Sequence, residues 1–367
     1  MLLDPLIQSA KSGDTINLGP GVWYTDGCDG YATPTGPLIP PNVKIVGAGQ
    51  NKTFIRFNRK DLQNRQWIVL YGRGGGISVS DVTVDCGFPP ANWILKICGI
   101  YLEGDNNTIQ RSTVLRPYGS IAGGAECFAI KCAFGKNCLV DSCTVAGIDP
   151  NSDYISAVGV HGGVVSRSAV FFPIRASGKY PYWHGINCEG VGSAVEVYDN
   201  IVIGAKAGYY LDTGAVTGLN FHHNTLTDVL YGISINIQYV GVANRSIANS
   251  KFNYNNIVLD GSWGDISPVI IDHTVQPYNP NGVCNGNFAQ NISFVGNTFE
   301  VVGAPYKTLQ MNIASQATSS GVSATNGISG ISFVDNVYPS GMDWRNMGNK
   351  AVDLKVYNAL PINWNPL

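Results

Sequence analysis

A repeated pattern of short β-type segments between Gly185 and Asn236 decides the fold. One copy reads GINCE at residues 185–189 and continues with VEVYDNI at 195–201. The next copy reads GYYLD at 208–212 and LNFHHNT at 219–225, and a third begins with GISIN at 232–236. A unit of about two dozen residues with no helical period predicts a solenoid whose coils stack on their neighbours.

A small polar residue recurs between two segments of most coils. This bend column contains Asp81, Ser112, Ser142, Ser168, Asn200, Asn224, Asn297 and Asn336. Asn and Asp tolerate left-handed backbone and hydrogen-bond locally, so the column predicts a recurrent tight bend. The bend also sets the phase of the repeat, because it separates the second strand of each coil from the third. The next segment along the chain is then the first strand of the following coil.

Length and composition restrict the classes of protein that fit. The repeat runs almost end to end over 367 residues, which predicts a single β-helix domain over 1–367. Within it, 1–41 form the cap and first coil, 42–340 the coils and 341–367 a tail. A net charge of -2 with 13% charged residues argues against a nucleic-acid partner. No apolar run reaches the ~20 residues that span a bilayer, so no membrane insertion is expected.

The opening of the chain carries a resemblance to a known superfamily. Its apolar and polar residues alternate over 13–24, 43–49 and 53–57, with Gly and Pro between the segments. These segments resemble the first coils of the pectin-lyase-like superfamily, which includes polygalacturonases, polysaccharide lyases and phage tailspikes. The resemblance implies an all-β, single-stranded right-handed parallel β-helix of about ten coils. It also implies a carbohydrate substrate and, from the tailspikes, a homotrimer.

The location of the protein is expected to be extracellular or virion-associated. Met1 is followed almost at once by residues of the fold, so the sequence predicts no signal peptide. The nine cysteines include no CxxC pair, which favours buried structural thiols over a metal site.

The first strands, aligned by this phase, present a column of charged residues. Side chains of a strand alternate between faces, and apolar residues such as Ile186 and Cys188 occupy the inward positions. The predicted outward column over five consecutive coils is Glu103, Lys131, His161, Glu189 and Asp212. A functional cleft explains this mixture of charges better than a merely solvated sheet face.

Substrate-binding residues are predicted beside that column. Other outward positions of the first strands provide Tyr101, Asn187, Tyr210 and Asn236. An insertion over 172–184 is predicted to form a loop over the same face, and it provides Arg175, Lys179, Tyr180 and Trp183. Aromatic rings and hydroxyls suit sugars, and the two basic residues suit an anionic substrate.

Glycosidic-bond hydrolysis is the predicted chemistry. It requires one carboxyl group to protonate the leaving oxygen and another to act as nucleophile or to activate water. Glu189 and Asp212 are the predicted pair, with Glu103 in reserve, while His161 and Lys131 adjust the pKa values of the acids and hold substrate oxygens. No cofactor or metal is predicted for a hydrolase. His222 and His223 are expected to face opposite sides of a second strand as ordinary surface residues.

Two alternatives remain open. In a polysaccharide lyase, Lys131 or His161 abstracts the proton next to a uronate carboxylate. Arg175 or Lys179, or calcium held by Glu189 and Asp212, then neutralises that carboxylate. In the second alternative, the protein is a non-catalytic glycan-binding or phage tail protein.

Overall fold

Three parallel β-sheets dominate the structure, a computed structural model. It describes residues 1–30, 34–60, 66–87, 96–120, 126–173, 181–189, 194–211, 215–236, 246–272, 288–303, 308–314, 328–345 and 355–357. The chain forms two compact units, Met1–Ile186 and Asn187–Leu367. The single domain over 1–367 stays a prediction. A short helix, Asp4–Ser9, begins the chain, and no helix in the described ranges is long and apolar enough to cross a bilayer.

The N-terminal unit contributes strands to all three sheets. Its first-strand sheet contains Cys28–Asp29, Leu38–Ile39, Trp67–Arg73, Ile97–Glu103, Cys127–Ala133, Tyr154–Val160 and Tyr182–Cys188, the last of which ends two residues beyond the unit. Its second-strand sheet contains Thr15–Leu18, Lys44–Gly47, Ser78–Ser80, Thr108–Gln110, Cys138–Asp141 and Gly163–Ser166. Its third-strand sheet contains Gly21–Thr25, Thr53–Phe57, Thr83–Asp85, Thr113–Leu115, Thr144–Ala146 and Ala169–Phe171.

The C-terminal unit repeats the same three-sheet order. Its first-strand sheet contains Ala207–Leu211, Tyr231–Asn236, Asp265–Asp272, Thr308–Ala314 and Asp343–Arg345. Its second-strand sheet contains Val195–Tyr198, Ala215–Thr217, Asn220–His222, Ser246–Asn253, Phe288–Val295, Ile328–Val334 and Lys355–Tyr357. Its third-strand sheet contains Ile201–Ile203, Thr225–Val229, Asn256–Asp260 and Thr298–Val302, and a 3₁₀ turn covers Gly261–Trp263. The predicted all-β parallel β-helix is confirmed.

Apolar residues at the predicted inward positions fill the coils. Ile100, Leu102, Ile233 and Ile235 have no exposed surface, and Ile186 is 1% exposed. In the C-terminal unit the rings of Phe252, Phe294 and Phe333 stack in a row, with centroids 4.9 and 4.6 Å apart. Each such aromatic pair contributes about 0.5–1.5 kcal/mol beyond the apolar area that it buries.

Strict alternation of the first strands would point Phe128 into the coil, but the alternation is interrupted at one level. A Cβ on Gly99 would lie 2.5 Å from the buried Val114, so Gly99 points into the coil like its neighbour Ile100. Glycine at this level lets the first strand approach the third-strand sheet closely. Beyond the interruption Phe128 lies on the outer face, because its ring centroid is 3.6 Å from Lys131 Nζ.

The predicted register of the first strands is correct in part of the C-terminal unit and wrong by two residues in the N-terminal unit. Tyr210 pairs with Ser234, as expected. In the N-terminal unit Tyr101 pairs with Lys131, whereas the sequence alignment set Glu103 opposite Lys131. A two-residue slip leaves every side chain on its own face, so the apolar pattern alone does not detect it.

The bend column combines two adjacent positions. Asp81, Ser142, Asp199 and His223 adopt positive φ of 54–60°, so the left-handed residue is the first of the two. The second position is buried, and in the C-terminal unit it forms an asparagine ladder of Asn200, Asn224, Asn255, Asn297 and Asn336. Each side-chain amide donates to the next Asn Oδ1 at 2.8–3.0 Å. The sequence analysis did not include Asn255.

Candidate functional site

The outer face of the first-strand sheet in the N-terminal unit concentrates charged and aromatic side chains. The column at one level of this face contains Tyr71, Tyr101, Lys131 and Gly159, because each of these residues pairs with the next. Arg73, Glu103 and Ala133 form the next level. The predicted single column of five charged residues is therefore wrong for Glu103 and Lys131, which lie on adjacent strands but at different levels.

Glu103 is held by two donors from the preceding coil. The Tyr71 hydroxyl donates to Glu103 Oε1 at 2.6 Å, and Arg73 Nε lies 2.9 Å from Oε2. Arg73 Nε also donates to the Tyr71 oxygen at 2.7 Å. Burial, followed by the hydrogen bond to Glu103, raises the pKa of Tyr71, which keeps its hydroxyl protonated. The cluster orients both oxygens of Glu103 toward these donors.

Lys131 carries its charge among aromatic rings. Its Nζ lies 3.6 Å from the Phe128 centroid and 5.6 Å from the Tyr101 centroid. Only 6% of Lys131 is exposed, whereas Tyr101 is half-buried. Cation–π attraction stabilises the ammonium in this shielded position.

His161 lies at the level of Ala133 rather than opposite Lys131. Its backbone N–H donates to the carbonyl of Cys132, which extends the pairing of the strand by one residue. The imidazole is 6% exposed, and the Phe134 ring packs against it with centroids 5.0 Å apart. Like Lys131, His161 is shielded from bulk water.

A second polar cluster on this face was missed by the sequence analysis. Ser156 donates to Glu126 Oε1, and His184 Nδ1 lies 3.2 Å from Ser156 Oγ and 3.5 Å from Glu126 Oε1. Ser156 has no exposed surface and His184 is 4% exposed. Ser156 pairs with Phe128, so the cluster adjoins the Lys131 side chain. The interruption of strand alternation hides these residues from a period-2 analysis, and no other sequence signal identifies them.

The predicted substrate-binding Trp183 is a core residue. The insertion was expected to form a loop, but Trp183 lies in the strand Tyr182–Cys188 and is 1% exposed. Its Nε1 donates to the Ser152 carbonyl at 2.7 Å, and its ring stacks on Phe172 at 5.4 Å. The indole therefore presents no surface to a sugar ring in this structure.

The remaining predicted residues belong mainly to the C-terminal unit. Glu189 directly follows the strand Tyr182–Cys188 and is partly exposed, whereas Asn187 is fully buried. Tyr210 is half-buried, and Asn236 pairs with Asp272 along the backbone. Four predicted residues lie outside the described residues: Arg175, Lys179, Tyr180 and Asp212. The Glu189–Asp212 pair therefore stays a prediction.

The described residues include no group of three or more His, Cys, Asp or Glu side chains that could surround a metal ion. The calcium site that the lyase alternative assigns to Glu189 and Asp212 depends on a residue outside the described ranges. Calcium thus stays part of that alternative only. The eight described cysteines are all buried and form no disulfide.

Comparison with known proteins identifies the fold. No family model and no curated protein sequence matches the chain. Among solved structures, the chain is similar to the Streptococcus pneumoniae surface protein and adhesin PfbA, with a TM-score of 0.56 and 12% identity over 96% of this chain and 94% of that one. It is also similar to the Dettilon tailspike protein, with a TM-score of 0.50 and 13% identity over 95% of this chain and 63% of the tailspike. These likenesses and the three parallel sheets show that the chain has a parallel β-helix fold.

Proposed function

We propose that this protein is a carbohydrate-active enzyme that cleaves glycosidic bonds of a poly- or oligosaccharide bound along the first-strand face. The observation that carries the proposal is the shielded set of ionisable side chains on this face of the N-terminal unit. Lys131 and His161 are each 6% exposed and His184 is 4% exposed. Polar side chains that only improve solubility have no reason to be buried, because removing them from water costs free energy.

The side chains of this face match the needs of a sugar substrate. Tyr101 is a half-buried ring, which combines an apolar face with a hydroxyl. Glu103 supplies an oriented acceptor, and Lys131 supplies a positive charge. Polar groups that converge beside aromatic rings are typical of sites that fix the orientation of a small polar ligand.

The proposed catalytic carboxyl groups are those of Glu189 and Asp212. Glu189 directly follows a first strand and is partly exposed, as a residue that reaches substrate must be. One carboxyl group would protonate the glycosidic oxygen, and the other would attack the anomeric carbon or activate water. Glu103, already engaged by Tyr71 and Arg73, is better placed to hold a substrate hydroxyl.

A polysaccharide lyase is the second candidate, and the position of Lys131 favours it. An ammonium group between two rings is a suitable partner for a uronate carboxylate, whose neutralisation is required for β-elimination. Glu126, Ser156 and His184, which lie within hydrogen-bond reach of one another, would serve the proton transfers. The unsaturated products of elimination absorb in the near ultraviolet, whereas the products of hydrolysis do not, so this absorbance distinguishes the two reactions.

A glycan screen with mass spectrometry of the products, followed by substitutions, tests the proposal. On an identified substrate we expect Glu189→Gln and Asp212→Asn each to lower turnover by about 10²-fold or more, as for a lost general acid or base. Asp199→Asn at a bend of the C-terminal unit is the matched control and should retain activity. Full activity of both carboxamide variants would refute the carboxyl pair. Loss of activity in Lys131→Ala with unsaturated wild-type products would establish the lyase, and binding without any turnover would establish a glycan-binding protein.

A further inference from the structure

Two histidines on the second-strand sheet of the C-terminal unit form a cluster separate from the first-strand face. His222 ends the strand Asn220–His222, and His223 occupies the bend that follows. Successive residues of a strand point to opposite faces, which is what the sequence predicts for this pair. The structure contradicts that expectation. His223 has a φ of 55°, and its left-handed backbone turns the imidazole so that the two Nδ1 atoms lie 2.8 Å apart.

Aromatic neighbours hold both imidazoles in place. Tyr198 of the preceding coil stacks on His222, with centroids 5.4 Å apart and planes within 6° of parallel. Tyr254 of the following coil stacks on His223 at 5.5 Å. The two imidazole planes meet at 87°. Because each ring is fixed by a neighbour from a different coil, the two Nδ1 atoms are positioned before any ligand arrives.

A carboxylate on the same face selects the tautomer of His222. Glu196 Oε1 lies 3.4 Å from His222 Nε2, on the side of the ring away from His223. A carboxylate at one nitrogen favours the proton there, which leaves the lone pair on Nδ1. The same arrangement of carboxylate, imidazole and metal recurs in metal sites, where the carboxylate orients the ligand.

The distance between the nitrogens matches two neighbouring ligands of one metal ion. Two imidazole nitrogens at ~2.0–2.1 Å from a metal and at right angles to each other are separated by roughly 2.9 Å. Right-angled nitrogen ligands are typical of Cu²⁺ and Ni²⁺, which also bind nitrogen donors most strongly among the divalent ions. Tetrahedral zinc would require a wider separation of about 3.3 Å at the same bond length.

We propose that His222 and His223 bind a divalent transition-metal ion of the Cu²⁺ or Ni²⁺ type through their Nδ1 atoms. Water completes the coordination, since the described residues supply no third His, Cys, Asp or Glu ligand. Without metal, one Nδ1–H donates to the other Nδ1; when the metal binds, the donor ring adopts the Nε2–H tautomer, which leaves an Nδ1 lone pair on both rings.

Titration of the tag-free full chain with Cu²⁺, followed by calorimetry and electron paramagnetic resonance, tests this site. The expected result is one tightly bound Cu²⁺ ion per chain, whose spectrum shows hyperfine coupling to two imidazole nitrogens. His222→Ala and His223→Asn should each weaken binding by tenfold or more, because one chelating ligand is lost. His223→Asn keeps a residue that tolerates the left-handed backbone. Glu196→Gln should weaken binding less, through loss of the orienting carboxylate.

The control variant is Glu300→Gln, which removes an exposed carboxylate from the third-strand sheet of the C-terminal unit. Its Cu²⁺ affinity should equal that of the wild type. The melting temperature of each variant without metal shows whether the fold is intact. If His222→Ala and His223→Asn fold and bind Cu²⁺ as tightly as the wild type, or if the spectrum lacks coupling to two imidazoles, the proposal is wrong and any bound copper is adventitious. This outcome is independent of whether the protein cleaves glycans.

Discussion

The two units of this chain build the same coil from different side chains. In the C-terminal unit, identical residues recur from coil to coil, namely the five buried asparagines of the ladder and the row of stacked phenylalanines. In the N-terminal unit the corresponding bend position holds Ser112, Cys143 and Ser168. Adjacent coils are joined on the outside by pairs such as Arg111 with Asp81.

The difference shows what fixes the register of stacked coils. An asparagine ladder is satisfied only when each amide meets the next, so a slip of two residues would break every rung at once. An apolar interior has no such requirement, because a two-residue slip returns apolar side chains to the same face. The C-terminal unit therefore has a continuous row of polar contacts inside the coil, while the N-terminal unit combines single buried contacts, such as that from the Cys143 N–H to Ser168 Oγ, with pairs that are partly exposed.

The largest loss of stability is expected from a substitution in the row of stacked phenylalanines. Phe252→Ala should lower the free energy of unfolding by about 3–5 kcal/mol, because it removes a fully buried ring and leaves a cavity between two neighbours. Urea unfolding followed by circular dichroism and tryptophan fluorescence measures the change. The N-terminal control is Phe171→Ala, whose ring is 41% exposed and whose loss should cost under about 0.5 kcal/mol. If Phe252→Ala and Phe171→Ala lower the free energy of unfolding equally, the stacked row contributes no more to stability than an exposed ring.

The ladder should be the next most sensitive element. Asn255 Oδ1 accepts from the backbone N–H of Asn224, and its amide donates to Asn297. Asn255→Ala leaves these buried groups unsatisfied and should cost about 2–3 kcal/mol. At the equivalent N-terminal position, Ser112 contributes one hydrogen bond to the Gln110 carbonyl, so Ser112→Ala should cost about 0.5–1.5 kcal/mol. Thermal unfolding of the two variants compares them directly, and a larger loss for Ser112→Ala would contradict the role assigned to the ladder.

The sequence predicts the fold and part of the candidate site. Which site residues it predicts correctly depends on whether the sequence determines the register of the strands. Repetition of identical residues reveals the coils, and the predicted register is right at Tyr210 and Ser234. It is wrong at Glu103 and Lys131, where nothing in the pattern distinguishes a two-residue slip. Glu126, Ser156 and His184 could not be predicted, because the level at which strand alternation fails depends on close packing against another sheet.

The smallest loss of stability is expected from breaking the Arg111–Asp81 pair of the N-terminal unit. Arg111 donates two hydrogen bonds of 2.7 Å to the Asp81 carboxylate. The Arg111 side chain is 53% exposed, so solvent screens the attraction, and Arg111→Ala should cost only about 0.2–1 kcal/mol near pH 7. The hydrogen bonds from Arg111 are the main cause that lowers the pKa of Asp81.

The pH dependence of the stability lost in Arg111→Ala shows whether the charge pair is its cause. A carboxyl group with a lowered pKa in the folded state contributes stability above its unfolded pKa of ~3.9 and loses it as the pH falls through the folded value. The difference in stability between the wild type and Arg111→Ala should therefore be constant above about pH 5 and shrink below about pH 4. High salt should reduce it as well. If the difference persists unchanged in acid, packing of the arginine stem rather than the charge pair joins these coils.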